Sequence, residues 1–274
     1  MFVVALLALA RTVEEEVPAL AADLGVTPYD AGQLLRSGPP SILLRVADRE
    51  RAAWLLGRVR ARGHDAVAFD ASVVAASDVM PTVRSFTLEA AALVCACHGR
   101  PDERVEFPDL VALVRAVHQT RTESTVSTKQ TSVSLGRLAL SGGLMLTKTV
   151  TKEAKKSTDD REAVLYLFRR VGKPVLFGAT RARYAGLGAD VRPTQAENFE
   201  RVIALLRERA PDAAYDARLV SLRVGVREKV SLAGASGSAL GLTMTASSAS
   251  AVDILAHTVA LALARREAGP YRGR

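Results

Sequence analysis

Cysteine and histidine stand together once in this chain, at Cys95-Ala-Cys97-His98. On an extended strand, residues two apart face the same way, so both thiols could meet one ion, with His98 at the following turn. The gap between the thiols is one residue shorter than the usual spacing, and the chain has only these two cysteines, so no second pair completes a tetrahedral site. His64, His118 or His257 could help only by folding in from elsewhere. The pattern favours two cysteines acting as small apolar side chains on a buried strand. No metal and no other cofactor is expected.

The chain also carries fragments of nucleophile chemistry. Gly234-Ala-Ser236-Gly237 resembles a nucleophile elbow until position 238, where a serine stands in place of the second glycine. Asp253 and His257 lie four apart on a predicted helix and can pair across one turn. A triad, however, needs its base presented to a serine in a cleft, and nothing in the sequence supplies that. Ser236, Asp253 and His257 are the best fragments of a hydrolase that the sequence offers. Phosphate loops are incomplete too: Ser141-Gly142-Gly143 leads to Thr147-Lys148-Thr149, but the lysine does not follow a glycine. Gly234, Gly237 and Gly241 miss the dinucleotide spacing.

One feature with chemical content remains, a basic stretch. Lys148, Lys152, Lys155, Lys156, Arg169, Arg170 and Lys173, with Arg161, Arg181 and Arg183 beside them, are candidates for holding a phosphate-bearing ligand, nucleic acid or an anionic lipid surface. Stacking aromatics are sparse there. Tyr166, Phe168, Phe177 and Tyr184 fit a hairpin core better than a base platform. The formal charge of +8 is uneven: residues 1–80 hold eight arginines and ten acids (8 − 10 = −2), and the remainder carries 29 − 19 = +10. Such asymmetry supports two domains, at 1–78 and 79–274, with any acidic partner meeting the second.

These residues must be positioned by elements legible from the pattern. Phe2 to Ala10 reads as a strand, and Val13 to Leu24 as a helix with Thr12 and Glu15 in a capping box and Gly25 as its stop. A short helix opening on Thr27-Pro28, a strand from Ser41, a helix from Asp48 to Arg62 and a strand from Asp65 follow. That alternation predicts a small α/β sandwich, with helices on one face of a short sheet. Ser77 to Pro81 is the predicted junction.

Beyond it the texture is β-rich. Val83 to Cys97 reads as a strand, while Asp109 to His118 fits either a strand or a short helix, because Leu110, Leu113, Val114 and Val117 recur at helical spacing. Thr120 to Ser134 is rich in Ser and Thr, either an exposed edge hairpin or a mobile loop. The central unit is Arg161 to Pro211: a strand to Arg170, a turn at Val171-Gly-Lys173, a strand from Val175 to Tyr184, then a helix capped by Thr194 and lined by Phe199, Val202, Ile203, Leu205 and Leu206. Ala233 to Ser250 is a small-residue tract, and a last apolar helix follows it.

In element order alone, residues 41–74 resemble small ferredoxin-like signalling domains, and 83–211 are similar to pleckstrin-homology or GRAM-like modules. The resemblance carries no functional residue across. The fold class expected is therefore α+β, a ferredoxin-like sandwich followed by a β-rich domain with a C-terminal helix. The longest apolar run, Met1 to Ala10, falls short of the roughly 18 residues of a membrane span and lacks the flanks of a signal peptide. A cytoplasmic protein is expected. Its expected function is non-enzymatic, a regulatory or scaffolding module that binds a protein partner or self-associates as an oligomer. The alternatives are an anion binder using the 148–183 region and a hydrolase with a cryptic Ser/His/Asp site.

Overall fold

The computed structural model describes residues 1–133, 147–222, 227–236 and 239–267, with side chains over 1–123, 157–222 and 245–265. Helices and strands are mixed, in several small sheets with a closing helix, as the pattern predicts. Two compact units are present. The first takes in the described residues of Met1–His118, Glu162–Gly225 and Ala249–Arg274; the second takes in those of Gln119–Arg161 and Val226–Ser248. The first unit thus draws on both sides of residue 78.

The first unit opens with a three-stranded antiparallel sheet. Strand β1 (Phe2–Ala8) lies between β2 (Ser41–Val46) and β3 (Asp65–Asp70). Helices α1 (Val13–Leu24), α2 (Pro28–Leu35) and α3 (Arg49–Ala61) connect them. The capping box at Thr12 and Glu15 forms as read from sequence, and Gly25 takes the left-handed conformation at φ 72° that ends α1. Side-chain alternation along β1 sends Val4 and Leu6 into the helical layer with Leu20, Leu35 and Leu55. Its other face sends Val3, Ala5 and Leu7 into a second core, with residues of the closing helix α5 (Ala249–Glu267). The strands and helices expected of residues 1–78 are present, but the ferredoxin-like likeness goes no further than element order.

Three short strands, β4 (Val83–Leu88), β5 (Ala92–Cys97) and β6 (Glu103–Glu106), form an antiparallel meander. The strand expected from Val83 to Cys97 is therefore two strands folded back at residues 89–91. Next come the long β7 (Leu110–Val133) and β8 (Thr147–Arg169), then β9 (Val175–Gly178) and β10 (Ala214–Leu219). Leu110 to Val117 is strand, not helix. Its apparent helical spacing arises because both faces are buried: Ala112, Val114 and Ala116 enter one core, Leu110 and Leu113 another. In the first unit β10 pairs in parallel with β7, and β8 pairs antiparallel with β9, Leu167 opposite Val175.

The hairpin and helix read from sequence form. Helix α4 (Gln195–Arg209) has its Thr194–Glu197 capping box and buries Phe199, Val202, Ile203 and Leu206 against Phe177 and Leu165. The strand expected to reach Tyr184 stops at Gly178. From there the chain turns under β4, where Gly186 approaches so closely that a Cβ would lie 2.0 Å from the Phe86 carbonyl oxygen. Only glycine fits that approach. The pleckstrin-homology likeness also ends at element order.

In the second unit β12 (Ala239–Ser247) lies between β11 (Arg227–Ser236) and β7, antiparallel to each, with Leu242 opposite Thr125 and Leu232. Thr120 to Val133 is thus strand throughout, neither the exposed edge hairpin nor the mobile loop expected: β7 stands inside its sheet, between β12 and β8. Among the described residues, no helix is long and apolar enough to cross a membrane.

Candidate functional site: a buried polar chain beside a cavity

Four polar side chains from four separate parts of the first unit meet in its core. Asp253 lies in the first turns of α5 and is 3 % exposed. Tyr166, near the C-terminal end of β8, is fully buried and donates its hydroxyl to Asp253 Oδ1 at 2.6 Å. His118 Nε2 lies 2.7 Å from the same hydroxyl oxygen. A phenol has one hydrogen, and here it is given to the carboxylate; Nε2 of His118 therefore carries the proton and donates to the tyrosine oxygen. On the far side of Asp253, Ser77 donates its backbone N–H to Oδ2 at 2.8 Å and its hydroxyl to the carboxylate at 2.7 Å. The order is His118, Tyr166, Asp253, Ser77.

Burial dictates how this chain titrates. It pushes the Tyr166 hydroxyl well above its ordinary value, and the Asp253 carboxylate beside it pushes the same way. Burial likewise lowers the His118 pKa, although Asp253 and Glu162 pull it up. Glu162, on β8, is a second buried carboxylate: Thr180 donates to Oε1 at 2.8 Å, and Arg181 Nε lies 2.6 Å from Oε2. Gly178 makes room for it, since a Cβ there would stand 2.6 Å from Oε1.

Ser77 also faces outward. With Asp78, Met80, Thr82, His98, Arg100 and Arg181 it lines a cavity of about 450 Å³. The walls are fixed by backbone bonds. Met80 closes a turn on Ala76 (3.1 Å), Thr82 accepts from the His98 N–H (3.0 Å), and the Leu176 N–H of β9 binds the Pro81 carbonyl (2.8 Å). Arg181 follows β9 and is held by Glu162. Asp78, His98 and Arg100 are exposed, and among the described residues Asp78 and Arg100 have no ion-pair partner.

The residues singled out from sequence are dispersed. Lys148, Lys152, Lys155 and Lys156 lie on β8 in the second unit, and their side chains fall outside the described residues. Arg169 is engaged by Glu103 at 2.8 Å and by the Lys173 carbonyl. Arg170 and Lys173 are exposed at the β8–β9 turn. Among the described residues of the wider basic stretch, Arg181 lines the cavity. Ser236 and the glycines around it carry no described side chain, and Gly142-Gly143 lies outside the described residues. Asp253 and His257 do share α5, but Asp253 turns to Tyr166 and Ser77, while His257 packs at 5.1 Å from the Phe69 ring and 6.2 Å from Phe168.

Cys95 and Cys97 are buried in the apolar cluster of Phe86 and Phe177. Burial pushes the Cys95 thiol up to about 12 and raises that of Cys97. Among the described residues, no group of three or more His, Cys, Asp or Glu is arranged to hold a metal ion.

Ser77, His118, Tyr166 and Glu162 were not recognisable as a site from spacing, because the bonded partners are 18 to 176 positions apart. The available signal was local: His118 directly follows the largely apolar stretch 110–117 of β7, and Tyr166 interrupts the apolar stretch 163–168 of β8. No family model, no curated protein and no solved structure matches this chain.

Proposed function

We propose that this chain is a non-enzymatic regulatory module that takes a small anionic ligand into the cavity beside Ser77. The observation that carries the reading is the convergence of Arg100, Arg181 and His98 with the Ser77 and Thr82 side chains on one cavity. A concave site with a few convergent polar groups, adjoining titratable residues whose pKa values are shifted, is where a ligand is sought first.

The bonding order argues against a hydrolase. A serine triad places the imidazole between hydroxyl and carboxylate, so that the base can take the hydroxyl proton. Here Tyr166 occupies the place between imidazole and carboxylate, and Ser77 donates straight to Asp253. The Nε2 proton of His118 is already used, and Asp253 already accepts three donors. This is a satisfied network, suited to holding the cavity wall in place.

The test is thermal denaturation and calorimetry of the full chain against compounds bearing a carboxylate or phosphate, at constant ionic strength. The set includes acetate, citrate, inorganic phosphate and the free amino acids. At least one compound is expected to raise Tm and to bind with a measurable Kd, and Arg100→Ala is expected to abolish that binding. Absence of binding by every compound, or binding that Arg100→Ala leaves intact, overturns the reading.

A further inference from the structure

Two charges of opposite sign at the cavity, Asp78 and Arg100, find no ion-pair partner among the described residues. Arg181 is held by Glu162 at 2.6 Å. A simple anion drawn to Arg100 would meet the Asp78 carboxylate with the wrong sign. A ligand carrying an anionic and a cationic group on one small frame meets both.

We infer that the ligand is an amino-acid-type zwitterion, its carboxylate facing Arg100 and its ammonium facing Asp78. This rests on the reading of the cavity as an anion site and names the ligand's class. The remaining wall agrees with such a molecule. Met80 supplies a buried apolar surface for a hydrocarbon portion. The Thr82 hydroxyl makes only a long 3.4 Å bond to the Met80 carbonyl, so it is free to turn to a ligand. Ser77, in contrast, is committed to Asp253 and forms a fixed edge. A volume of about 450 Å³ lies within the range of small-molecule sites.

The experiment uses the full chain and three versions of each probe: the free α- and ω-amino acids, the same compounds N-acetylated, and the same compounds as carboxamides. Calorimetry is expected to show at least one free amino acid binding at least about tenfold more tightly than either blocked form, the order set by one charge-assisted hydrogen bond. Asp78→Asn is expected to abolish the preference for the free amino acid over its N-acetyl form, weakening the first and leaving the second no weaker. If N-acetylated compounds bind as well as free ones, or if Asp78→Asn leaves the free amino acid unaffected, the zwitterion inference fails while the anion reading stands. If no form of any probe binds, the zwitterion inference fails, and the anion reading fails with it only if acetate, citrate and inorganic phosphate do not bind either.

Discussion

The first unit contains two buried polar clusters, and they solve the burial of carboxylates in opposite ways. In the helical layer, Glu16 and Asp23 are 2 % and 5 % exposed, and both are answered by a full charge. Arg62 grips Glu16 through Nε and NH2 (2.7 Å for the shorter) and binds Asp23 through NH1; Arg58 adds a second bond to Asp23 at 3.1 Å. His64 completes it: Nδ1 accepts the Ala10 N–H at 2.9 Å, which leaves the proton on Nε2, 2.7 Å from Glu16 Oε2. In the other cluster Asp253 is paired with no arginine or lysine among the described residues, and His118 Nε2 stands 4.0 Å from its Oδ1. Asp253 is held by a phenol, a serine hydroxyl and a backbone N–H, and its outer member lines a cavity. Ion-paired burial fixes a fold and admits nothing. A carboxylate held by neutral dipoles at the wall of a cavity is an arrangement that a ligand's charge can influence.

The contrast is broken most severely at Arg62. Removing one partner of a buried ion cluster leaves uncompensated charge, here two carboxylates, and Arg62→Ala is expected to lose about 3–5 kcal/mol in urea denaturation. A loss below about 1 kcal/mol would mean that Glu16 and Asp23 regain water freely, and that the first cluster is not the closed one described.

Tyr166→Phe tests the second cluster and is expected to cost less, about 1–3 kcal/mol, since it strips one donor from Asp253 and one acceptor from His118 without stranding a new charge. A cost equal to that of Arg62→Ala would erase the distinction between charge-held and dipole-held carboxylates.

Of all this, local structure was the most legible in sequence. Caps at Thr12 and Thr194, the stop at Gly25 and the hairpin through Val171-Gly-Lys173 are short-range chemistry, and they form as read. The stretch at Leu110 misled because a strand buried on two faces loses its alternation, and period is then no guide. The division at 78 rested on charge and composition, whereas compactness groups β1 with α5 through Val3, Ala5 and Leu7. The site was illegible for a related reason. In sequence Ser77 looks like part of a junction and Tyr166 like hairpin core; only tertiary packing makes each a neighbour of Asp253.

Acid tests the second cluster by a smaller effect. Burial lowers the pKa of His118 and of His257 below the ordinary imidazole value of about 6.5. The unfolded chain therefore takes up protons that the folded chain refuses, and stability is full above that value and falls as pH drops below it, until the folded values are reached. The slope is at most about 1.4 kcal/mol per pH unit for each imidazole. His118→Gln is expected to flatten the dependence between pH 6.5 and 5 in urea titrations. An unchanged slope would place the proton uptake elsewhere.

The smallest effect expected on stability is at the cavity mouth. Asp78 and Arg100 are exposed and have no ion-pair partner among the described residues, so Asp78→Asn and Arg100→Ala are each expected to leave the unfolding free energy within about 0.5 kcal/mol of the unaltered chain. That near-silence matters because a binding group is free to be removed from the unliganded fold, while a structural one is not. A loss above about 1 kcal/mol at either position would show that the cavity charges already serve the fold. The second cluster would then be as closed as the first, and the cavity would lose its claim to a ligand.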